Sequence, residues 1–164
     1  MTAAQLTLDP LAQVTLRPIR TDDLERLRRL FFRLSPETIH RRFFSGYSQP
    51  PEPALHRLAE VDYWNRYAVV AVVGDEVVGV ARFDRLSGTT TAEPAILVED
   101  AWQGVGLGLL LGRRLFGEAA RHGITEFQAS ILAENRRALA LMRRLSPQVD
   151  VTLDGTEYAV RATV

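Results

Sequence analysis

The sequence contains no cysteine and no lysine, and only three of its 164 residues are histidine. Without cysteine the chain can form no disulfide and no thiolate metal site, and it has no cysteine nucleophile. The histidines His40, His56 and His122 do not show the spacing of metal ligands. We therefore expect no metal centre.

Long apolar runs and an excess of one charge are also absent. Apolar stretches such as residues 68–72 are far shorter than the roughly 18–20 residues that a membrane-spanning helix requires. The N-terminus has no basic start followed by an apolar segment and a cleavage site, so we predict a cytoplasmic protein. The 20 basic and 20 acidic residues cancel, so neither nucleic acid nor a membrane surface is expected as a partner.

Length and composition indicate one globular domain. Of the 164 residues, 46% are apolar and 24% are charged, which is the usual balance of a folded protein with a single core. Residues 14–164 are predicted to form this domain. Residues 1–13 carry little pattern and are predicted to be an N-terminal arm or linker.

The hydrophobic pattern predicts an α/β fold, with helices concentrated early and strands in the middle and at the end. The predicted strands cover residues 14–18, 66–73, 76–84, 92–98, 125–130, 149–153 and 157–163. Helices are predicted to begin near residues 24, 36, 54, 106 and 135. Thr21 is predicted to cap the first helix and Ser35 the second. Pro94 is predicted to interrupt the hydrogen-bond ladder of its strand.

Three glycines, Gly104, Gly106 and Gly108, lie between the strand at residues 92–98 and the helix that follows it. Glycine lets the backbone approach a ligand without a clashing Cβ, and the unpaired N–H groups at a helix N-terminus attract anions. The turn is therefore a candidate phosphate-binding site. Close packing alone is the alternative interpretation of the glycines, whereas a Walker loop would need a Gly-Lys-Ser/Thr that is missing here.

Residues 103–108 resemble the signature Gln/Arg-x-x-Gly-x-Gly/Ala of the GNAT N-acetyltransferase superfamily. The strand sequence AILV before them and the order of elements over residues 14–163 agree with that family. The resemblance implies a mixed, mainly antiparallel sheet of six to seven strands, flanked by helices and splayed around acetyl-CoA as cosubstrate, without a metal. It also implies that backbone amides hold the pyrophosphate and the pantetheine arm, and that an asparagine adds a further contact. The cofactor-binding residues implied in this way are Ile96, Leu97, Val98, Gln103, Gly104, Val105, Gly106, Leu107, Gly108 and Asn135.

Acetyl transfer to an amine needs a base, because an ammonium with a pKa near 10.4 is almost fully protonated at pH 7. A carboxylate within reach of the amine, directly or through one water, can remove that proton. In the protein-lysine acetyltransferases of the superfamily this base is a glutamate in an Ala-Glu context before the signature, which matches Ala92 and Glu93. Glu93 is therefore the candidate catalytic residue, with a solvated edge charge as its alternative role. For Glu99 and Asp100 a turn-forming role facing water is favoured.

Met142 and the segment SPETIHRRFF refine the resemblance. Many small-molecule and N-terminal acetyltransferases of the superfamily have a tyrosine acid seven residues after the asparagine, where this chain has Met142. A thiolate with a pKa near 8.5 can leave without such an acid. Together with Glu93 and its context, these residues resemble the acetyltransferase domain of Pat-type protein-lysine acetyltransferases. That likeness implies, as partner, a reactive lysine of a protein such as an AMP-forming acyl-CoA synthetase, and a regulatory domain outside this chain.

Two other functions stay open, a small-molecule amine N-acetyltransferase and a non-catalytic acyl-CoA-binding domain. Arg41 and Arg42 are interpreted either as part of a protein-docking wall or as solvated charges. Core packing is favoured for Phe43 and Phe44. Packing roles, rather than stacking on nucleic-acid bases, are favoured for Tyr63, Trp64 and Trp102.

Overall fold

The computed structural model describes residues 9–43 and 51–164. Within them seven strands form one sheet. The strands are β1 (Thr15–Pro18), β2 (Arg66–Val73), β3 (Glu76–Arg85), β4 (Thr91–Val98), β5 (Glu126–Leu132), β6 (Val149–Asp154) and β7 (Glu157–Thr163). The α-helices are α1 (Leu24–Arg33), α2 (Pro36–Phe43), α3 (Glu52–Ala59), α4 (Leu107–Arg121) and α5 (Arg136–Leu145). The predicted fold class is confirmed, and the predicted boundaries lie within two residues of these.

The sheet splays open between β4 and β5. Its strand order is β1-β2-β3-β4-β5-β7-β6, and all neighbours are antiparallel except β4 and β5. The parallel pair is joined only at Thr91 with Glu126 and at Ala92 with Phe127. Beyond Ala92 the two strands diverge, and the edge of β4 that faces β5 is left without a partner strand.

Pro94 lies just past the point where the strands separate. It stays in register with Phe83 of β3, and the pairing of β3 with β4 continues to Gly79 and Val98. The predicted interruption of the ladder at Pro94 is therefore wrong on the β3 side. A residue without an N–H is tolerated here because the neighbouring edge of the strand carries no ladder.

Two cores cover opposite faces of the sheet. One lies under α4 and α5 and includes Leu111, Leu115 and Phe127, and the other lies under α1–α3 and includes Leu30 and Val80. Successive residues of a strand point to opposite faces. In β4, accordingly, Ala92 belongs to the first core and Leu97 to the second.

The start of α1 is held by a buried aspartate. The carboxylate of Asp23 accepts two hydrogen bonds of 2.7 Å from the guanidinium of Arg17 and one of 2.8 Å from the N–H of Arg20. Thr21 lies in a 3-10 turn (Thr21–Asp23) whose N-cap is Arg20, and the N-cap position of α1 is Asp23, so the predicted cap is wrong. Burial raises the pKa of Asp23, but the hydrogen bonds and charge of Arg17 and the N–H of Arg20 outweigh burial, and the pKa lies below its ordinary value.

Other local predictions can be compared with the structure. Ser35 caps α2 as predicted, since its Oγ accepts the N–H of Thr38 at 3.2 Å. Tyr63 and Trp64 are 44% and 57% exposed and lie outside both cores, although the Trp64 ring packs edge-on against His122. Phe44 lies outside the described residues, as do residues 1–8, and the arm at residues 1–13 stays a prediction. Every helix in the described part of the chain is too short or too polar to traverse a bilayer.

Candidate active site

A cavity of about 320 Å³ lies where β4 and β5 diverge. One wall is β4 with the turn that follows it, and the other is β5 with α5. The first turns of α4 and the end of α2 close the cavity from the two faces of the sheet. The lining includes Thr38, Arg41, Arg42, residues 94–98, Gln103, Gly104, Gly108, Leu115, Phe116, residues 129–131, Asn135, Arg137, Ala138, Leu141 and Met142.

The glycine turn is shaped by left-handed backbone. Gly104 has a φ of 78° and Gly106 a φ of 93°, values that residues with a Cβ rarely adopt. Gly106 immediately precedes α4, whose first N–H groups have no intrahelical acceptor. A Cβ on Gly108 would make an ordinary contact with Leu141 at 3.6 Å, so neither a clash nor backbone strain requires glycine there. Backbone donors and a helix N-terminus together suit an anion such as a pyrophosphate.

The predicted residues of this turn differ in what their side chains do. Gln103, Gly104 and Gly108 line the cavity. The side chain of Leu107 is fully buried in the core, and that of Val105 is 38% exposed. Leu107 can therefore contribute only its backbone N–H to a ligand.

Gln103 fastens the turn to its surroundings. Its Nε2 donates to the carbonyl oxygen of Val98 at 3.0 Å and to Oγ1 of Thr38 at 3.2 Å. The side chain of the first signature residue thus ties the end of β4 to α2, and leaves the backbone as the part that can bind a ligand.

The two acids before the turn have specific partners. Glu99 pairs with Arg33 at 3.1 Å, and its side chain is only 13% exposed. Asp100, although exposed, accepts hydrogen bonds from Ser35 and Thr38. Both acids lie at the turn as predicted and Asp100 is exposed as predicted, whereas Glu99 is largely shielded from water. Their partners come from the α1–α2 segment, which sequence spacing does not place beside them.

The part of β4 predicted to hold the pantetheine arm lines the cavity. Ile96, Leu97 and Val98 all lie in the cavity wall. Their backbone on the β5 side is unpaired, because the β4–β5 pairing ends at Ala92. An extended ligand with amide groups can pair with such an edge as another strand would.

Asn135 lies on the opposite wall. Its Oδ1 accepts the N–H of Ala138 at 3.2 Å and so caps α5. The side chain also lines the cavity. Among the described residues its amide N–H groups have no acceptor, so they can donate to a ligand.

Glu93 stands at the other end of the cavity from the glycine turn. It is exposed, and it directly precedes the lining residue Pro94. Strand alternation places it on the same face as Ala95, which lines the cavity. No cationic side chain of the described residues lies within ion-pair distance of its carboxylate. The cavity lining itself does not include Glu93.

Two residues near Glu93, Asp84 and Arg82, were not predicted as site residues. Asp84 of β3 is paired directly with Glu93 across the strands. Arg82 is buried and donates to both carboxylate oxygens of Asp84, at 3.1 and 2.8 Å, and to the carbonyl of Arg57. The alternation that places Glu93 on this face would also have placed Asp84 and Arg82 there, had the pairing register been known.

Arg42 of α2 completes this side of the cavity. Its guanidinium lies 4.7 Å from the centre of the Phe43 ring. Burial and the nearby charge of Arg82 lower the pKa of Arg42 to about 10, and Asp84 offsets part of that change. Arg42 is therefore a partly buried cation at neutral pH rather than a fully solvated charge.

The inner end of the cavity is apolar. Leu115, Phe116 and Ile131 line it together with Met142, which is buried seven residues after Asn135. No hydroxyl acid is therefore present at this position. In the described ranges, no three His, Cys, Asp or Glu side chains are grouped as metal ligands.

The sequence pattern of the acetyltransferase (GNAT) domain family matches residues 13–146. The chain belongs to this family and is an acetyl-CoA-dependent N-acetyltransferase. The glycine turn, the free edge of β4 and the cavity between β4 and β5 fit acetyl-CoA as its cosubstrate.

Individual relatives agree with this assignment. An acetyltransferase of Pseudomonas aeruginosa is 34% identical over 134 residues, which cover 79% of this chain and 72% of the relative. The acetyltransferase Pat of Mycolicibacterium smegmatis is 36% identical over 133 residues, covering 79% of this chain but only 40% of Pat. The crystal structure of the GNAT domain of S. lividans PAT superimposes with a TM-score of 0.86 at 26% identity, covering 92% of this chain and 90% of that one.

Proposed function

We propose that this domain transfers the acetyl group of acetyl-CoA to a lysine side chain of a protein, with Glu93 as the general base. The observation that carries the proposal is the position of Glu93. Its carboxylate is exposed, is free of a cationic partner among the described residues, and lies one residue beyond the cavity wall.

The orientation of the cosubstrate follows from the two ends of the cavity. Residues 103–108 offer the backbone donors for the pyrophosphate, and Ile96, Leu97 and Val98 offer the free strand edge for the pantetheine arm. With these two parts bound in this order, the thioester lies farther along β4 toward Pro94. Glu93 is the next residue in that direction.

Glu93 then has one task, which is to take a proton from the acceptor ammonium directly or through a water. The neutral nitrogen forms a bond to the carbonyl carbon while the carbon–sulfur bond breaks and CoA leaves as a thiolate. The extra proton that the acylated nitrogen still carries then passes through water to that thiolate, which leaves a neutral amide and CoA thiol. Met142 supplies no proton to the leaving group, and a CoA thiolate, whose thiol has a pKa near 8.5, can leave before it is protonated. Backbone N–H groups of β4 can stabilise the developing oxyanion.

A protein acceptor fits the exposed setting of Glu93. A lysine on a flexible stem can reach a carboxylate at the outer end of the cavity, whereas a small amine would gain little contact there. The name of the M. smegmatis relative, acetyltransferase Pat, is consistent with this class. We further propose an AMP-forming acyl-CoA synthetase as the acceptor. A separate regulatory domain is also proposed, since this chain spans less than half of that relative.

The test is to incubate the protein and acetyl-CoA with a purified AMP-forming acyl-CoA synthetase, and separately with a cell lysate, and to map acetyl-lysines by mass spectrometry. A panel of polyamines and amino acids is assayed in parallel. Enrichment of one or a few lysines that disappears with Glu93→Gln supports the proposal. Fast turnover of a free amine with no enriched lysine would instead identify a small-molecule acetyltransferase, and CoA binding with no transfer would identify a binding domain.

A further inference from the structure

The segment that joins α1 to α2 is bound to the cofactor turn through one carboxylate. Asp100 accepts the N–H of Ser35 at 2.9 Å through Oδ2 and the hydroxyl of Ser35 at 2.6 Å through Oδ1. The hydroxyl of Thr38 donates to the same Oδ1 at 2.8 Å. These partners are 62 to 65 residues apart in the chain, so the contact is tertiary rather than local.

Thr38 links this carboxylate to the signature residue. Its Oγ1 donates to Asp100 and accepts from Nε2 of Gln103 at 3.2 Å. Gln103, Thr38 and Asp100 therefore form a chain of hydrogen bonds in which each donor polarises the next. Thr38, in the middle of the chain, is buried, whereas Asp100 at its end is exposed.

The far end of α2 carries the residues that face the acceptor side. The helix has eight residues, so at about 1.5 Å per residue it is roughly 12 Å long. Ser35 and Thr38 lie at its start, and Arg41 and Arg42 at its end line the cavity. Because the helix is short and packs on β4, a shift at its start moves Arg42 relative to Glu93.

The ionisation state of Asp100 favours hydrogen bonds to Ser35 and Thr38 that persist across the neutral pH range. Partial burial raises the pKa of its carboxyl, but the hydrogen bonds from Ser35 and Thr38 outweigh this effect, so the pKa lies below its ordinary value. The carboxylate is thus ionised throughout the neutral range, and it can accept all three hydrogen bonds at once.

We propose that Asp100 is a positioning residue that couples the cofactor turn to α2. When binding of the pyrophosphate orders residues 103–108, the hydrogen bonds of Asp100 and Gln103 fix the positions of Ser35 and Thr38. Helix α2 then holds Arg42 at the acceptor side of the cavity. The effect on the acceptor rests on the proposed function, whereas the effect of the cofactor on α2 needs no acceptor.

Hydrogen exchange of α2 tests the coupling. Exchange of the amides at residues 39–43 is measured by mass spectrometry with and without saturating CoA, in the wild type, Asp100→Asn and Thr38→Val. Asp154→Asn removes an exposed charge in the β6–β7 hairpin and is the matched control. We expect CoA to slow exchange about fivefold or more in the wild type and the control. In the other two variants most of this protection is lost, while the dissociation constant of CoA changes by less than about threefold.

Three results would overturn the proposal. The first is that CoA does not slow exchange of α2 in the wild type, and the second is that CoA protects α2 in both Asp100→Asn and Thr38→Val as strongly as in the wild type. The third is that these variants lose much of their CoA affinity while the protection of α2 is unchanged. A further measurement is kinetic. At saturating acetyl-CoA, the kcat/KM of the enzyme for the acceptor should fall about fivefold or more in Asp100→Asn. If no acceptor is found for the wild type, the proposed function fails while the exchange result still decides the coupling.

Discussion

The two sides of the cavity present different chemical groups to a ligand. On the cofactor side, the turn at residues 103–108 and the free edge of β4 present backbone groups, and the side chains there either pack or fasten the turn. On the side where we propose that the acceptor binds, Glu93, Asp84 and Arg42 present charged side chains. Backbone recognition requires a particular conformation, which glycine marks in the sequence. Side-chain recognition depends on which residues tertiary structure brings together, and short motifs do not record this.

The strongest test of this contrast is Glu93→Gln. If the acceptor side works through the carboxylate, kcat should fall about 10²- to 10⁴-fold, which is the usual contribution of a general base. The dissociation constant of acetyl-CoA, measured by calorimetry, should change by less than about twofold because the cofactor side is untouched. A parallel loss of acetyl-CoA affinity would mean that Glu93 contributes to cofactor binding, which contradicts this assignment. Asp154→Asn is the control for the loss of one exposed negative charge.

Asp23→Asn alters neither side of the cavity. It therefore tests whether the free energy of unfolding can fall without a change in kcat. Removing one partner of a buried, hydrogen-bonded ion pair typically costs about 3–5 kcal/mol of unfolding free energy. Because the folded-state pKa of Asp23 lies below its unfolded value of about 3.9, its stabilisation is complete above that value and is lost as pH falls through the lower folded-state pKa.

Urea unfolding measures both predictions for Asp23. The variant should be less stable than the wild type at pH 7, and its stability should decline less steeply below about pH 5. At temperatures where both proteins are folded, kcat should match the wild type. A variant with normal stability would mean that the ion pair with Arg17 is not structurally important.

The smallest predicted effect is at Gly106, and it tests the backbone character of the cofactor side. At a φ of 93° a Cβ is strained, by about 1–2 kcal/mol, so Gly106→Ala should raise the dissociation constant of acetyl-CoA about tenfold. Gly117→Ala is the matched control, since a Cβ there meets no atom within 4 Å in the middle of α4. The control should stabilise the protein by about 0.5–1 kcal/mol without affecting binding. Equal effects of the two changes on affinity would argue against a strained glycine turn.

The same division explains what could be predicted from the sequence. The order of strands and helices follows from local periodicity, and the glycine turn from local conformation. The cap at Thr21 could not be recognised as wrong, because Asp23 is held by Arg17 on the preceding strand. Likewise, the partners of Asp100 come from a segment 65 residues away. The sequence could place Glu93 on a face of β4, but the paired residue Asp84 depends on a register that only the assembled sheet defines.

The sparse joint between β4 and β5 has a mechanical consequence. In the described residues, two residue pairs and the adjacent hydrogen bond from the N–H of Thr125 to the carbonyl of Thr90 connect the two halves of the sheet along this line. The joint is therefore short compared with the continuous ladders on either side. Small changes in the angle between the halves break no ladder hydrogen bonds beyond Ala92. The width of the cleft can therefore adjust as a ligand enters and leaves, while each half keeps its own pairing.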